Sequence, residues 1–188
     1  MSTVKRELLA LDQAVYVAVA GTDTPAMNRF LQPLTSAADH SKLWVASAAV
    51  LALLGGPQGR RAALHGMASV GLASAGVNQV LKHIARRPRP DRVGADVPTA
   101  RHVPMPTSTS FPSGHSASAF AFAEGVSQTM PAVGLTLRLA ATTVAYTRVH
   151  AGVHYPGDVI AGASIGVACG KAAPRLLAWA GSDLDLAH

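Results

Sequence analysis

The sequence predicts an all-α helical membrane bundle of about five spanning or near-spanning helices, preceded by short amphipathic N-terminal helices. Apolar residues make up 49% of its 188 residues and charged residues only 14%, well below the roughly 25% charged fraction of an average soluble domain. Runs with few or no charges recur at helix length and end at proline, glycine turns or charged blocks. No linker-like stretch divides the chain, so one domain over 1–188 is expected: an amphipathic region at 1–40, the bundle at 41–180 and a polar tail at 181–188.

Residues Leu8 to Ala20 mix Leu, Val and Tyr with Asp12 and Gln13, the pattern of a helix lying on a surface rather than crossing one. A second short helix is expected from Pro25 to about Ala38. Leu43 to Gly56 is free of charge and runs into a Gly-Pro-Gln-Gly turn and Arg60-Arg61, so it reads as a short first span. Ala62 to Leu81 again lacks Lys, Arg, Asp and Glu, and about 20 such residues suffice to cross the hydrocarbon. Arg86 to Pro112 holds six of the twelve prolines, five basic residues and a Thr-Ser-Thr-Ser run, and is expected to be an irregular loop. Ser116 to Thr129 and Ala132 to Tyr146 form two further helices divided at Met130-Pro131, and Val159 to about Trp179 forms the last. Gly162, Gly166 and Gly170 repeat at four-residue spacing on that last helix, where they suit a close internal or intersubunit helix contact.

The net charge of +6 is unevenly spread, because six of the sixteen Lys and Arg residues lie between Lys82 and Arg101. A focused basic cluster suggests an anionic ligand. Nucleic acid is not the expected one, since basic nucleic-acid binders rarely carry long uncharged Ala, Val, Leu and Gly runs. Cys169 is the single cysteine, which excludes an intrachain disulfide and a Cys-based metal site. Met1 to Leu11 carries Lys5, Arg6 and Glu7 and lacks an apolar core followed by a cleavage site, so no cleavable signal peptide is expected.

Three charged blocks sit at the ends of apolar helices. Lys82 and Arg89, separated by six residues and followed by Pro90, can reach one anion, with Arg as a planar fork of donors and Lys as a mobile point charge. Pro112-Ser113-Gly114-His115 opens a helix, whose unpaired N–H groups suit an anion. Ser113 alone also reads as an ordinary N-cap and His115 alone as a surface residue. In the third block Arg148 precedes His154 and Asp158. A carboxylate four residues after a histidine can hold one ring nitrogen and leave the other free to attack, or simply make a structural hydrogen bond. A competing reading takes His150, His154 and Asp158 as zinc ligands, but a cation there would be repelled by Lys82, Arg89 and Arg148.

Taken together the blocks resemble the type-2 phosphatidic-acid phosphatase superfamily, which also contains vanadium-dependent haloperoxidases and bacterial acid phosphatases. The family pattern is Lys, six residues, Arg-Pro; then Pro-Ser-Gly-His; then Ser-Arg, five residues, His, three residues, Asp. The chain matches at Lys82, Arg89 and Pro90, at Pro112 to His115, and at Arg148, His154 and Asp158, with Thr147 in place of the serine. The resemblance implies that His154 attacks phosphorus to give a phosphohistidine, that Asp158 holds its ring, and that His115 serves as acid and then base. It further implies that Lys82, Arg89, Ser113, Gly114 and Arg148 bind the phosphate, with no metal and no cofactor.

A haloperoxidase would use the same pocket for vanadate, but those enzymes are typically large and soluble, whereas this chain is short and apolar. The expected partners are a lipid phosphate and the bilayer. Polyprenyl phosphates or diphosphates, phosphatidic acid and phosphatidylglycerol phosphate all satisfy the pocket, and the sequence looks like small bacterial members of the family. Oligomeric state is not legible. Arg60-Arg61 and Lys171 with Arg175 place their helix ends in the cytoplasm by the positive-inside rule, which puts the site on the extracytoplasmic face of the plasma membrane.

Overall fold

The computed structural model describes residues 3–185, excepting the side chains of residue 40 and residues 181–185. The described residues contain helices and loops but no strand. The elements are α1 (Thr3–Gly21), α2 (Pro25–Ala37), a 3₁₀ turn (Asp39–Ser41), α3 (Lys42–Leu54), α4 (Gly56–Ala75), a π-helical stretch (Gly76–Leu81), α5 (Lys82–Ala85), a second 3₁₀ turn (Thr99–Arg101), α6 (Gly114–Ser127), α7 (Pro131–His150) and α8 (Pro156–Asp185). The expected helices are thus present within a few residues. Pro25, Pro57 and Pro131 fall in the first turns of α2, α4 and α7, where the missing N–H costs nothing. The expected tail at 181–188 begins as a continuation of α8, and 186–188 lie outside the described residues.

One boundary differs from the expectation. Ala62 to Leu81 is not one uniform helix: α4 ends at Ala75 and Gly76–Leu81 continue with π geometry. Side chains four apart drift around a helix of 3.6 residues per turn, and the wider π turn takes that drift back. Ser74, Asn78 and Lys82 consequently line the same cavity.

Helix α6 is the centre of the bundle, surrounded by α4, α7 and α8. Its Ala-, Ser- and Gly-rich surface is buried on nearly every side, as expected of a helix with small side chains all round. Trp44 of α3 packs on Phe122 of α6 with ring centroids 5.6 Å apart, inside a core that also takes in Ala62, Val70, Val126 and Val144. Glu124 of α6 is buried, and Arg138 of α7 reaches its carboxylate at 2.5 Å, so the two charges inside apolar helices neutralise each other.

The four-residue glycine repeat of α8 faces α6 within the chain. A Cβ at Gly162 would stand 2.4 Å from the Ser113 carbonyl oxygen, one at Gly166 2.4 Å from that of Ala117, and one at Gly170 2.4 Å from the Glu124 Cβ. No real side chain fits at such distances, so the repeat sets the separation of α6 from α8.

No helix among the described residues is long and apolar enough, taken alone, to cross a membrane. Helices α3 and α6, with 13 and 14 residues, are about 20 Å long and stop short of the ~30 Å hydrocarbon thickness. The outward surface is nevertheless greasy: Leu53, Leu54, Leu64, Leu135, Leu139, Ile160 and Trp179 are all more than half exposed. On α1, Tyr16 and Ala20 are buried while Val4, Leu8 and Leu11 point outward. Arg101 staples the N-terminal helices to the long loop, donating from Nε to Asn28 Oδ1 (2.9 Å), from Nη1 to the Ala20 carbonyl (3.0 Å) and from Nη2 to Thr24 Oγ1 (2.8 Å).

Candidate active site

The site forms where the C-terminal end of the α4–α5 run, the start of α6 and the α7–α8 connection meet beneath the 86–113 loop. Gly152, in the left-handed region with φ +70°, turns the chain after α7. Backbone N–H groups of Val153 and His154 then close on the Arg148 carbonyl at 3.1 and 3.2 Å. This turn delivers His154 to the floor of a cavity of about 190 Å³ whose walls include Asn78, Lys82, Arg89, Ser108, Gly114 and His115.

His154 is buried, and its two nitrogens have different surroundings. Nδ1 lies 3.5 Å from Asp158 Oδ2 and 3.5 Å from Ser110 Oγ, and Nε2 stands 3.2 Å from Arg89 Nη1. A carboxylate only accepts and a guanidinium only donates, so the proton belongs on Nδ1 and the lone pair on Nε2. Burial holds the His154 imidazole down to about 4, with the Arg89 and Arg148 charges acting in the same direction and the Asp158 hydrogen bond opposing them. An ordinary imidazole titrates near 6.5. At pH 5 His154 is therefore expected to remain ~90% neutral, which a ring-nitrogen NMR titration checks against His154→Gln; a midpoint at 6 or above contradicts this environment.

Asp158 is fully buried and surrounded by donors. Oδ2 accepts from the Tyr155 N–H at 2.9 Å and from the Ser110 hydroxyl, while Oδ1 accepts from Arg87 Nη1 at 2.8 Å. Arg87 in turn donates from Nη2 to Asp12 Oδ2 on α1 at 2.6 Å and lies over the Tyr155 ring, 4.0 Å from its centroid. Asp12 Oδ1 also receives the Gly157 N–H at 2.7 Å, so α1 is tied to the first turn of α8.

Lys82 and Arg89 share Ser108: Lys82 Nζ donates to its hydroxyl at 3.1 Å and Arg89 Nη2 at 3.2 Å, with Arg89 Nε on its carbonyl at 2.9 Å. A Cβ built on Gly114 would lie 3.8 Å from Lys82 Nζ, so the bare backbone leaves that part of the cavity open. Ser113 is placed differently from the other expected phosphate ligands. Its hydroxyl is buried as the N-cap of α6, accepting from the Ser116 N–H and hydroxyl, and its N–H donates to the Asp158 carbonyl at 3.0 Å. It holds the α6 start against the α8 start and is absent from the cavity wall. Arg148 is buried beside the site, 3.9 Å from Asp39 Oδ1: Nη1 donates to Thr35 Oγ1 at 2.7 Å, and Nε is a buried donor with no protein partner.

Of the six cations between Lys82 and Arg101, only Lys82 and Arg89 line the cavity. Arg101 is the staple described above, Arg87 is paired with carboxylates, and Arg92 turns inward to the Val103 carbonyl at 2.9 Å. The basic cluster is partly structural. His150, a candidate zinc ligand, points to Thr24 Oγ1 at 3.2 Å and packs on Tyr146. Among the described residues no group of three His, Cys, Asp or Glu side chains converges on a metal position, so the zinc reading has no geometry behind it.

Asp12, Thr35, Asp39 and Arg87 escaped the sequence reading, as did Asn78, Ser108 and Ser110. Asp12, Thr35 and Asp39 lie in the N-terminal forty residues, which carry no part of the three blocks. Asp39 Oδ1 is 2.9 Å from His115 Nε2. The only available signal was the isolation of Asp12 and Asp39 as acids in a chain poor in them.

The chain is similar to known proteins in sequence and in fold. A family model described as the PAP2 superfamily matches residues 62–182. The decaprenylphosphoryl-5-phosphoribose phosphatase of Mycobacterium tuberculosis (strain ATCC 25618 / H37Rv) is 35% identical over 163 residues, covering 84% of this chain and 85% of the relative. The protein of the same name from Mycolicibacterium smegmatis is 37% identical over 164 residues, covering 86% and 84%. Among solved structures, Aquifex aeolicus LpxE superposes with a TM-score of 0.69 at 26% identity over 88% of this chain and 95% of that one. The transmembrane PAP2 type phosphatidylglycerolphosphate phosphatase of Bacillus subtilis superposes with a TM-score of 0.68 at 24% identity, over 90% and 86%.

Proposed function

This chain belongs to the PAP2 superfamily, and on that premise we propose that it removes the phosphomonoester of a polyprenyl-linked lipid through a phosphohistidine on His154. It is a phosphoric-ester hydrolase of the lipid-phosphatase type. The observation that carries the mechanism is the polarity of the His154 ring, with Nδ1 on Asp158 and Nε2 in the cavity beside Arg89.

The lone pair of Nε2 attacks phosphorus as the bond to the leaving alkoxide breaks, and His115 gives that oxygen its proton. Water then loses a proton to His115 and attacks phosphorus, and the N–P electron pair returns to Nε2. Lys82, Arg89 and Arg148, with the free N–H groups opening α6, hold the three non-bridging oxygens and offset the charge of the transition state. The unpartnered Arg148 Nε supports this assignment, because a buried donor needs an acceptor. Ser113 supports the site by fixing the α6 start. The chemistry uses protein side chains throughout and no metal.

The substrate assignment rests on the relatives, whose names specify a decaprenyl-linked phosphoribose phosphate. The apolar outer surface and the outward Leu residues of α1 suit a multi-pass bundle in the plasma membrane. Arg60 and Arg61 in the first two turns of α4, and Lys171 and Arg175 in the second half of α8, are exposed, which by the positive-inside rule supports a cavity on the extracytoplasmic side.

Phosphate release from polyprenyl-phosphoryl sugar phosphate, polyprenyl diphosphate, phosphatidic acid and phosphatidylglycerol phosphate, measured in detergent with EDTA present, tests the reading. The sugar phosphomonoester is expected to be cleaved fastest and EDTA to leave the rate within about twofold, whereas a metal-assisted hydrolase loses the several kcal/mol a bound ion supplies. Loss of activity on chelation with recovery on zinc contradicts the mechanism, and preference for another lipid contradicts the substrate.

A further inference from the structure

We propose that Asp39 is a positioning residue for His115, fixing its tautomer so that Nδ1 is the nitrogen that exchanges protons with the leaving group and with water. This rests on the phosphohistidine reading of the same site. Asp39 opens the 3₁₀ turn Asp39–Ser41 that follows α2, and its Oδ1 lies 2.9 Å from His115 Nε2. A carboxylate cannot donate at the pH where it is ionised, so Nε2 carries the hydrogen of that contact. Only Nδ1 is then left with a lone pair when His115 is neutral, and only Nδ1–H is left to give when it is charged.

The carboxylate has a second neighbour, Arg148 Nη1, at 3.9 Å, and Arg148 is itself held by Thr35. Asp39 thus places a negative charge between an imidazole that must become cationic and an arginine that must stay near the phosphate. The arrangement repeats on His115 what Asp158 does on His154, with the nitrogens exchanged: there the carboxylate side is Nδ1 and the working atom Nε2. It also gives the α2 region a task in the chemistry. In the first step the P–O bond breaks with its electron pair going to the alkoxide oxygen, which takes the proton of His115 Nδ1. In the second, Nδ1 accepts a proton from water as its oxygen bonds to phosphorus. His115 returns to its starting charge.

The test uses the full chain in detergent, with the alkyl phosphomonoester lipid and an aryl phosphate, p-nitrophenyl phosphate. An alkoxide needs a proton in order to leave and a nitrophenolate does not. Asp39→Asn is expected to lower kcat/KM for the lipid by ~10²-fold, the lower end of what general acid–base catalysis supplies, while kcat/KM for the aryl phosphate changes by less than ~3-fold. Because the water step still needs His115 as base, the variant should also show a pre-steady-state burst of nitrophenol. Asp39→Glu, which keeps a carboxylate, should recover part of the lipid rate. Equal losses on both substrates, or no loss on the lipid, overturn the proposal. Wild type quenched in base and examined for phosphohistidine separates the two layers: its absence refutes the histidine mechanism, and its presence without the substrate split refutes only the role of Asp39.

Discussion

Replacing His154 with alanine is expected to lower kcat/KM on the lipid substrate by ~10⁴-fold or more, the scale seen when a covalent nucleophile is removed from a preorganised site. The size follows from the surroundings. Two imidazole nitrogens of the cavity wall are not held by a carboxylate, His115 Nδ1 and His154 Nε2; the first is assigned to the leaving oxygen, which leaves His154 Nε2 as the attacking atom. Water attacking directly would have to do so without a base on the correct side of phosphorus. Wild type quenched in base after brief exposure to ³²P-labelled substrate should retain label on protein, and His154→Ala should retain none. A variant that keeps more than a tenth of the activity means the nucleophile lies elsewhere.

Asp158→Asn carries the second large effect, on rate and on stability together. All four partners of the carboxylate are donors: the Tyr155 N–H, the Ser110 hydroxyl, Arg87 and His154 Nδ1. An amide must turn its NH₂ against at least one of them. Facing His154, it drives the ring proton to Nε2 and removes the attacking lone pair, a tautomer error that costs ~10⁴-fold in a comparable carboxylate–histidine pair. Facing Arg87, it breaks a buried ion pair, a loss of about 3 kcal/mol at the lower end of the usual range because Asp12 still neutralises Arg87. A kcat reduced ~10³-fold, with a lower midpoint of thermal unfolding in detergent, is the expected pair of results. A variant with normal kcat shows that the His154 ring is oriented by something other than this carboxylate.

The division between sequence and tertiary structure follows the range of the interactions. Each helix was legible from its own residues because low-charge runs, prolines at the first turn and glycines at the breaks are local signals, and α1, α3, α6, α7 and α8 fall close to where those signals put them. The three blocks were legible for the same reason: Lys82 with Arg89, Pro112 to His115, and Arg148 with His154 and Asp158 are each confined to one helix end and its turn. The π-helical stretch left no such trace, because Gly76–Leu81 reads as any other apolar turn until the cavity requires Asn78 and Lys82 on one face.

What the tertiary structure alone decided is how residues distant in the chain are paired. Asp39 reaches His115 across 76 positions, Thr35 reaches Arg148 across 113, and Asp12 reaches Arg87 across 75. The same packing decided which cations face the cavity and which became staples, leaving Lys82 and Arg89 on the cavity wall while Arg101 went to the α1–α2 turn. A charge reads identically in sequence whether it meets phosphate, carboxylate or carbonyl. Sequence by itself determined the helices and the three blocks from which the proposed chemistry is built, because both depend on near neighbours in the chain; the partners that orient and hold those blocks depend on α1 and α2 folding back over the bundle, which no local pattern encodes.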